Sequence, residues 1–417
     1  MKITRVHLFK AIDMSLNKMR FHVFSLPHTI TRSDYSACAF TQKVLKFCKM
    51  MTERGHTIYH YGHADSVVVC TEHIAVTDNE VLEKAYGIYN WKKSFFQHNT
   101  ADHAHQTFNQ RAIVEVGKRA QQNDFALCFW GYGHQPIFEA HRQLIPVEPG
   151  IGCPNKVCTP YAVYESYAIM NFVYGKYDVS PKFYDAVIPN YFDKNDFEFC
   201  DTPKDYFLFV GRIIESKGIG LAVDMTKRIG AKLYVAGQGD LASACGGKIP
   251  DHVVEIGYVE PAQRKEIMKY AKALIAPTYY NEPFGGVTIE ALFCGTPTIT
   301  TDWGGFAENN LHGVTGYRCR TMEQFTWACK NIDRISRKDC RDWAVNNFSL
   351  ERVGRMYEEY FSTVLKVHEA SGFYEENPGR TDLEWMTRYY PTGSIKQPPM
   401  ASEEESQQPC VVTLTPM

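Results

Sequence analysis

No stretch of this 417-residue chain comes near the about 18 consecutive apolar residues that a membrane-spanning helix needs. A helical membrane span is therefore not expected. Blocks of basic residues are missing, as are aromatics repeated among basics, and the net charge is −2. Nucleic acid is accordingly not an expected partner. The thirteen cysteines are scattered singly. An odd, dispersed set argues against a disulfide framework. Cys153 and Cys158 are close but lack the paired spacing of a zinc site. The cysteines read as small apolar residues, mostly buried, in a reducing compartment. The opening Met1-Lys2-Ile3-Thr4-Arg5 has no apolar signal-peptide core. These absences lead to the expectation of a cytoplasmic protein, associated with membranes peripherally at most.

What the chain does contain is a succession of short apolar runs and longer amphipathic segments, enough for two domains. Residues 20–26 read as a strand, 33–54 as a helix stopped by Gly55, and 57–61 as a second strand. That order is a parallel βαβ unit. Residues 67–70 read as a further strand, 106–121 as a helix, 124–130 as a buried strand and 144–148 as the next, with a turn at 149–152. Residues 161–174 read as a helix and 186–190 as a strand running into a linker. A second series follows, with strands at 206–210, 232–237, 253–259, 273–277 and 298–302. Ser349 suits the N-cap of a long helix over 350–370. Residues 381–390 carry enough aromatics to dock, and beyond about 393 the composition predicts disorder. Residues 1–18 carry no readable pattern. The expected organisation is a first domain over 1–189, a linker over 190–205 rich in Asp, Asn and Pro, a second domain over 206–392 and a tail over 393–417.

Parallel sheets bind ligands beyond the carboxyl ends of their strands. That places His28 and Thr31, after the first strand, at the mouth of a cleft. His134 and Glu148 follow later strands in the same way. For His28, a loop histidine bonded to local backbone is an equal alternative. The loop after the first strand lacks three spaced glycines, so a nicotinamide or flavin cofactor is unsupported. Asp102, His103 and His105 lie together like metal ligands, but no further ligand has suitable spacing, so they read as a solvated helix start rather than a metal site.

The most informative stretch is Asn281-Glu282-Pro283-Phe284-Gly285-Gly286-Val287-Thr288-Ile289-Glu290-Ala291-Leu292. It follows the apolar run Ala273-Leu274-Ile275-Ala276-Pro277, so it reads as strand, loop, glycine pair, helix. The glycines permit tight curvature and close approach of a ligand. A helix N-terminus offers unpaired N–H groups and partial positive charge to a phosphate. Glu290, about one turn in, can reach a ribose hydroxyl pair, and Glu282 on the loop can meet another polar ring.

Two glutamates flanking Pro-Phe-Gly-Gly at this spacing resemble the motif of retaining glycosyltransferases of family four. That resemblance implies an α/β GT-B fold, two Rossmann-like domains across a cleft. It implies that Glu282 holds the donor sugar and Glu290 the ribose. Gly211-Arg212 through Lys217-Gly218 resembles the family's diphosphate clamp, with Arg212 suited to a forked contact and Lys217 to a point charge. Gly211, Gly237, Val259, Phe284, Gly285 and Gly286 fall at donor-binding positions. Ile188-Pro189-Asn190 matches the handover between the domains, and Gly304-Gly305-Phe306-Ala307-Glu308 and 313–317 complete the resemblance. It is specific over about 186–320 and mostly architectural before that. Many relatives carry histidine where this chain has Glu148, which therefore either orients an acceptor hydroxyl or is a buried capping carboxylate.

The implied activity is transfer of a hexose from a nucleotide sugar to a sugar, glycan or lipid-linked acceptor. No Asp-any-Asp motif is present, so neither metal nor other cofactor is expected. A nucleotide-sugar epimerase, or a catalytically dead sugar-binding protein on the same scaffold, is the alternative. A phosphorylase would need a pyridoxal lysine, for which there is no compelling site.

Overall fold

Each half of the chain folds around a parallel sheet. The computed structural model describes residues 18–369, apart from 37, 89, 93–97 and 183. The expectations for residues 1–17, for 381–390 and for the tail lie outside the described residues. In the first half the strands are β1 (Arg20–Phe24), β2 (Thr57–His63), β3 (Glu72–Thr77), β4 (Phe125–Cys128), β5 (Ile145–Ile151), β6 (Tyr161–Tyr164) and β7 (Ala186–Val187). Their order across the sheet is β3-β2-β1-β4-β5-β6-β7. In the second half they are β8 (Phe207–Val210), β9 (Leu233–Ala236), β10 (Val253–Gly257), β11 (Ala273–Ala276), β12 (Thr298–Thr301) and β13 (Gly316–Cys319), in the order β10-β9-β8-β11-β12-β13. Central strands such as Phe207-Leu208-Phe209 and 273–276 are apolar and buried throughout, as a sheet covered on both faces requires. In each sheet the order reverses once, between β1 and β4 and between β8 and β11. Such a switch point opens a crevice at the carboxyl ends of its strands.

Several boundaries differ from expectation. Residues 67–70 form no strand: Val67 and Val69 are exposed, and the edge strand is β3, paired with β2 from Tyr59↔Glu72 onward. An apolar run is not enough where no neighbour covers it. Residues 161–174 are not one helix. Tyr161–Tyr164 pairs with β5, and the helix Tyr167–Tyr177 starts only after Ser166, whose hydroxyl accepts from Ile169 N. The expected turn at 149–152 is partly strand, because β5 runs on to Ile151 through an irregular register.

The last described helix, Leu350–Glu369, begins at Ser349, whose hydroxyl accepts from Arg352 N at 3.3 Å. It packs on the first half rather than on its own sheet. Phe361 is fully buried, with its ring 4.8 Å from both Phe21 and Phe125. Glu358 pairs with Arg54 and with His56 at 3.1 Å. Beside it, Phe192 N donates to Phe348 O and Leu350 N to Phe192 O, a single parallel bridge that ties the linker to the helix start.

Candidate active site

A cleft of about 750 Å³ is lined by residues of both halves. On the second half's side it includes Val210 at the end of β8 and Gly211 after it, Lys217, Ile275, Ala276 and Thr278 at the end of β11, and 282–287. Glu290 also lines it. Local geometry explains the glycines. Gly285 has φ +83°, and a side chain there would strike the Phe306 ring. It is the N-cap of the helix Gly286–Phe293, whose first turn faces the cleft. Phe284 is buried against Phe348 and anchors that turn, its carbonyl accepting from Asn309 Nδ2 at 2.8 Å.

The two glutamates are each held by a cation. Lys217 Nζ donates to Glu282 Oε2 at 2.6 Å, and Tyr280 OH donates to the same oxygen at 2.9 Å. Arg264 donates to Glu290 Oε1 at 3.2 Å. A lysine ammonium has three donors and a carboxylate two acceptor oxygens. Each site therefore keeps capacity for a ligand: Oε1 of Glu282, Oε2 of Glu290, and further N–H groups of Lys217.

The other expected residues fall elsewhere. Arg212 is exposed beside Gly211 and is not among the residues lining the cleft. Gly237 is needed for a different reason than ligand approach: a side chain there would collide with the Gly211 carbonyl where β8 and β9 end together. Val259 is buried next to Glu260 and does not line the cleft.

In the first half the correction is larger. His28, Thr31, His134 and Glu148 are buried and absent from the cleft lining. His134 donates and accepts inside the fold, with Nε2 2.9 Å from Ser25 O and Nδ1 3.3 Å from Trp130 N. Burial lowers its pKa to about 3. His28 stacks on His98 at 4.3 Å. Thr31 uses its backbone to bind Ser66 and Val67. Glu148 sits under Gly131 and accepts from Cys158 N at 3.4 Å; burial raises its pKa to about 7. That is the capping alternative for Glu148. Asp102 caps the helix His103–Gly117 and holds His105 at 2.8 Å. Among the described residues no group of three or more His, Cys, Asp or Glu could hold a metal.

Three lysines on the helix Ala39–Glu53 supply the first half's charge instead. Lys43 is buried, pairs with Glu165 beyond β6 and donates to Gly150 O. Lys49 donates to Asp193 at 2.5 Å, and Lys46 lines the cleft beside them. Their spacing of three puts them on one helical face, which is the signal in the sequence; taken alone it reads as a solvated stripe. The pairing with Glu165 leaves no local signal.

Both flanks of the cleft are bridged. On one, Glu308 accepts from the backbone N–H groups of Tyr167 and Ala168 at 2.9 and 2.8 Å, and Ser166 Oγ donates to Pro283 O at 2.5 Å. Burial raises the Glu308 pKa. The loop carrying Glu282 is thereby tied to a helix of the first half. On the other, Gln238 donates to the carbonyls of Trp91 and Lys92 at 3.1 and 2.6 Å, and Ser36 and Tyr258 share a hydrogen bond at 3.1 Å.

Two parallel α/β sheets lining one cleft, with a helix returning from the second half to the first, constitute the GT-B fold of glycosyltransferases. Comparison with known proteins agrees. Residues 193–342 match the family model described as Glycosyl transferases group 1. An uncharacterized glycosyltransferase of Methanocaldococcus jannaschii is 33% identical over 165 residues, 37% of this chain and 40% of its own length. Glycogen synthase of Mycobacterium tuberculosis is 31% identical over 122 residues, 27% of this chain and 29% of its own. The chain thus spans less than half the length of these relatives. Among solved structures, sucrose-phosphate synthase of Thermosynechococcus elongatus superposes with a TM-score of 0.62 at 15% identity, covering 84% of this chain and 100% of that one. HepE of Anabaena, in complex with UDP-glucose, gives 0.60 at 13% identity, covering 83% and 100%. The match to the group 1 model thus falls in the second half of this chain, within a GT-B fold. No helix among the described residues is long and apolar enough to cross a membrane.

Proposed function

We propose that this protein is a retaining glycosyltransferase that moves a hexose from a nucleotide sugar to a sugar, glycan or lipid-linked acceptor. The observation that carries the reading is the pairing of Lys217 with Glu282 in the cleft, beside the Gly285–Gly286 helix start and one turn from Glu290. Glu290 takes the ribose hydroxyls and Glu282 the sugar hydroxyls. Lys217, the helix start and Arg212 from the rim stabilise the departing diphosphate; such preorganised charge is commonly the largest catalytic term. The bond from the anomeric carbon to the diphosphate breaks. A bond to the acceptor oxygen forms on the same face, and the acceptor's proton leaves with the diphosphate. No side chain need be a covalent nucleophile, and the residues named supply no metal requirement. The complex of HepE with UDP-glucose makes uridine diphosphate sugars the first donors to try.

A thermal-shift panel of nucleoside diphosphates and their sugars tests the reading, because a ligand of the folded state raises apparent stability. At least one base should raise the melting temperature, and its sugar should be slowly hydrolysed without acceptor. Binding without any turnover would mark a dead sugar-binding protein. Interconversion of the sugar on its nucleotide would mark an epimerase.

A further inference from the structure

Six cationic side chains line the cleft against five carboxylates. Four pairs are those described: Lys43–Glu165, Lys49–Asp193, Lys217–Glu282 and Arg264–Glu290. The fifth is Lys265–Asp196 at 3.4 Å. Lys46 is the cation left over among the described residues. Its ammonium rests 4.1 Å over the Phe192 ring. A ring face attracts a cation but cannot neutralise it as an anion would.

The Phe192 ring under Lys46 reaches the start of the helix that carries Glu290, where a Gly286 side chain would meet its edge at 3.6 Å, and the charges around Lys46 agree with that position. Glu290 and Asp196 favour its charge, and Arg264 and Lys43 oppose it. Glu290 and Arg264 are the ribose-side pair of the proposed donor site; Glu282 and Lys217 are not among these influences. Lys46 is half-buried, and burial lowers its pKa to about 8, so at neutral pH it is still mostly charged. A half-buried ammonium without a carboxylate partner gains from an anion brought by the ligand.

We propose that Lys46 contacts the phosphate esterified to the ribose of the donor, so that the first half of the chain shares in binding the nucleotide. This rests on the transferase reading above. The role also gives the bridged flanks a purpose: the nucleotide becomes a link between the halves, and Lys46 reaches it only when they are together.

The test is calorimetric titration of the full chain with UDP, GDP and ADP, then with the monophosphate and the free nucleoside of whichever base binds. Lys46→Met keeps the stem over Phe192 and removes the charge. It should weaken the diphosphate and the monophosphate by about tenfold, the usual scale of one charge-assisted hydrogen bond, and leave the nucleoside unchanged. Lys46→Arg should restore most of the affinity. Lys46→Gln serves as a second neutral variant, with thermal melting as the check on folding. If folded Lys46→Met and Lys46→Gln bind both nucleotides like wild type while Lys217→Met binds the diphosphate weakly, the contact does not exist. Equal loss toward the nucleoside also overturns it, since that would be a packing effect. If wild type binds no nucleoside diphosphate, the transferase reading itself fails and this inference with it.

Discussion

The two walls of the cleft use the same interaction for different ends. On the first half's wall, Lys43 and Glu165 are only 4% and 8% exposed. On the second half's wall, Lys217 and Glu282 are 20% and 13% exposed, and Arg264 and Glu290 are 22% and 17% exposed. Removing one partner of a buried pair strands a charge away from water. A partly solvated pair is held by little net energy, so an incoming hydroxyl or phosphate can share its atoms. The Lys43–Glu165 pair therefore braces the first wall, while the pairs of the second wall are open to exchange. Lys49, 38% exposed, is less firmly held, and Lys46 has no carboxylate to brace against among the described residues.

The largest expected effect breaks the braced wall. Glu165→Gln should cost about 3–5 kcal/mol of stability, the usual result of stranding one member of a buried pair, read from denaturant unfolding. A loss under about 1 kcal/mol would mean that water reaches Lys43 after all. Phe361→Ala belongs beside it, at about 3–5 kcal/mol for a large core truncation. The loss should appear although the residue lies on the last helix, because its ring packs in the first half's core.

Lys217→Met should leave the fold intact and lower turnover on the order of a hundredfold, by removing a cation aimed at developing charge. Unchanged turnover would mean that Lys217 only positions Glu282. The two glutamates should then separate by role. Glu290→Gln should weaken binding of both the nucleoside diphosphate and the nucleotide sugar by about tenfold. Glu282→Gln should spare the diphosphate and lower turnover, since on the proposed reading it meets only the sugar. Equal weakening by both variants in calorimetry would refute the division.

Smaller effects come from pH. The folded pKa of His134 lies at about 3, below its ordinary 6.5. Its contribution is thus fully present above pH 6.5 and is lost as pH falls toward 3. Glu148 acts in the opposite sense. Burial raises it from 4.5 to about 7, so its contribution is present below 4.5 and lost as pH rises through 7. Glu148→Gln should remove the decline between pH 5 and 8 and keep the acid-side loss. Last, EDTA should leave activity unchanged. Loss restored by manganese or magnesium would return Asp102, His103 and His105 to consideration.

The sequence is easiest to read where function needs a local run. In 281–292 the loop glutamate, the glycine turn and the helix glutamate lie within four turns of chain, so their spacing alone sets their geometry. The same holds for Gly211 through Gly218, although only the fold shows that Lys217 enters the cleft while Arg212 stays at its rim. The first half was harder because strand ends alone do not say which way side chains point. His134 follows a strand as a cleft residue should, yet it turns inward to Ser25 O. Val67 and Val69 have the composition of a strand and no covering layer.

By itself the sequence determined two parallel α/β halves, the donor-side motif and the capped helix after Ser349, because each follows from periodicity or from contacts a few residues apart. Tertiary structure alone decided which charges meet. Lys43 finds Glu165, Glu308 finds the Tyr167 and Ala168 amides, and Lys46 settles over the Phe192 ring. Those partners are far apart in the chain, and burial acts on them only once the fold has brought them together.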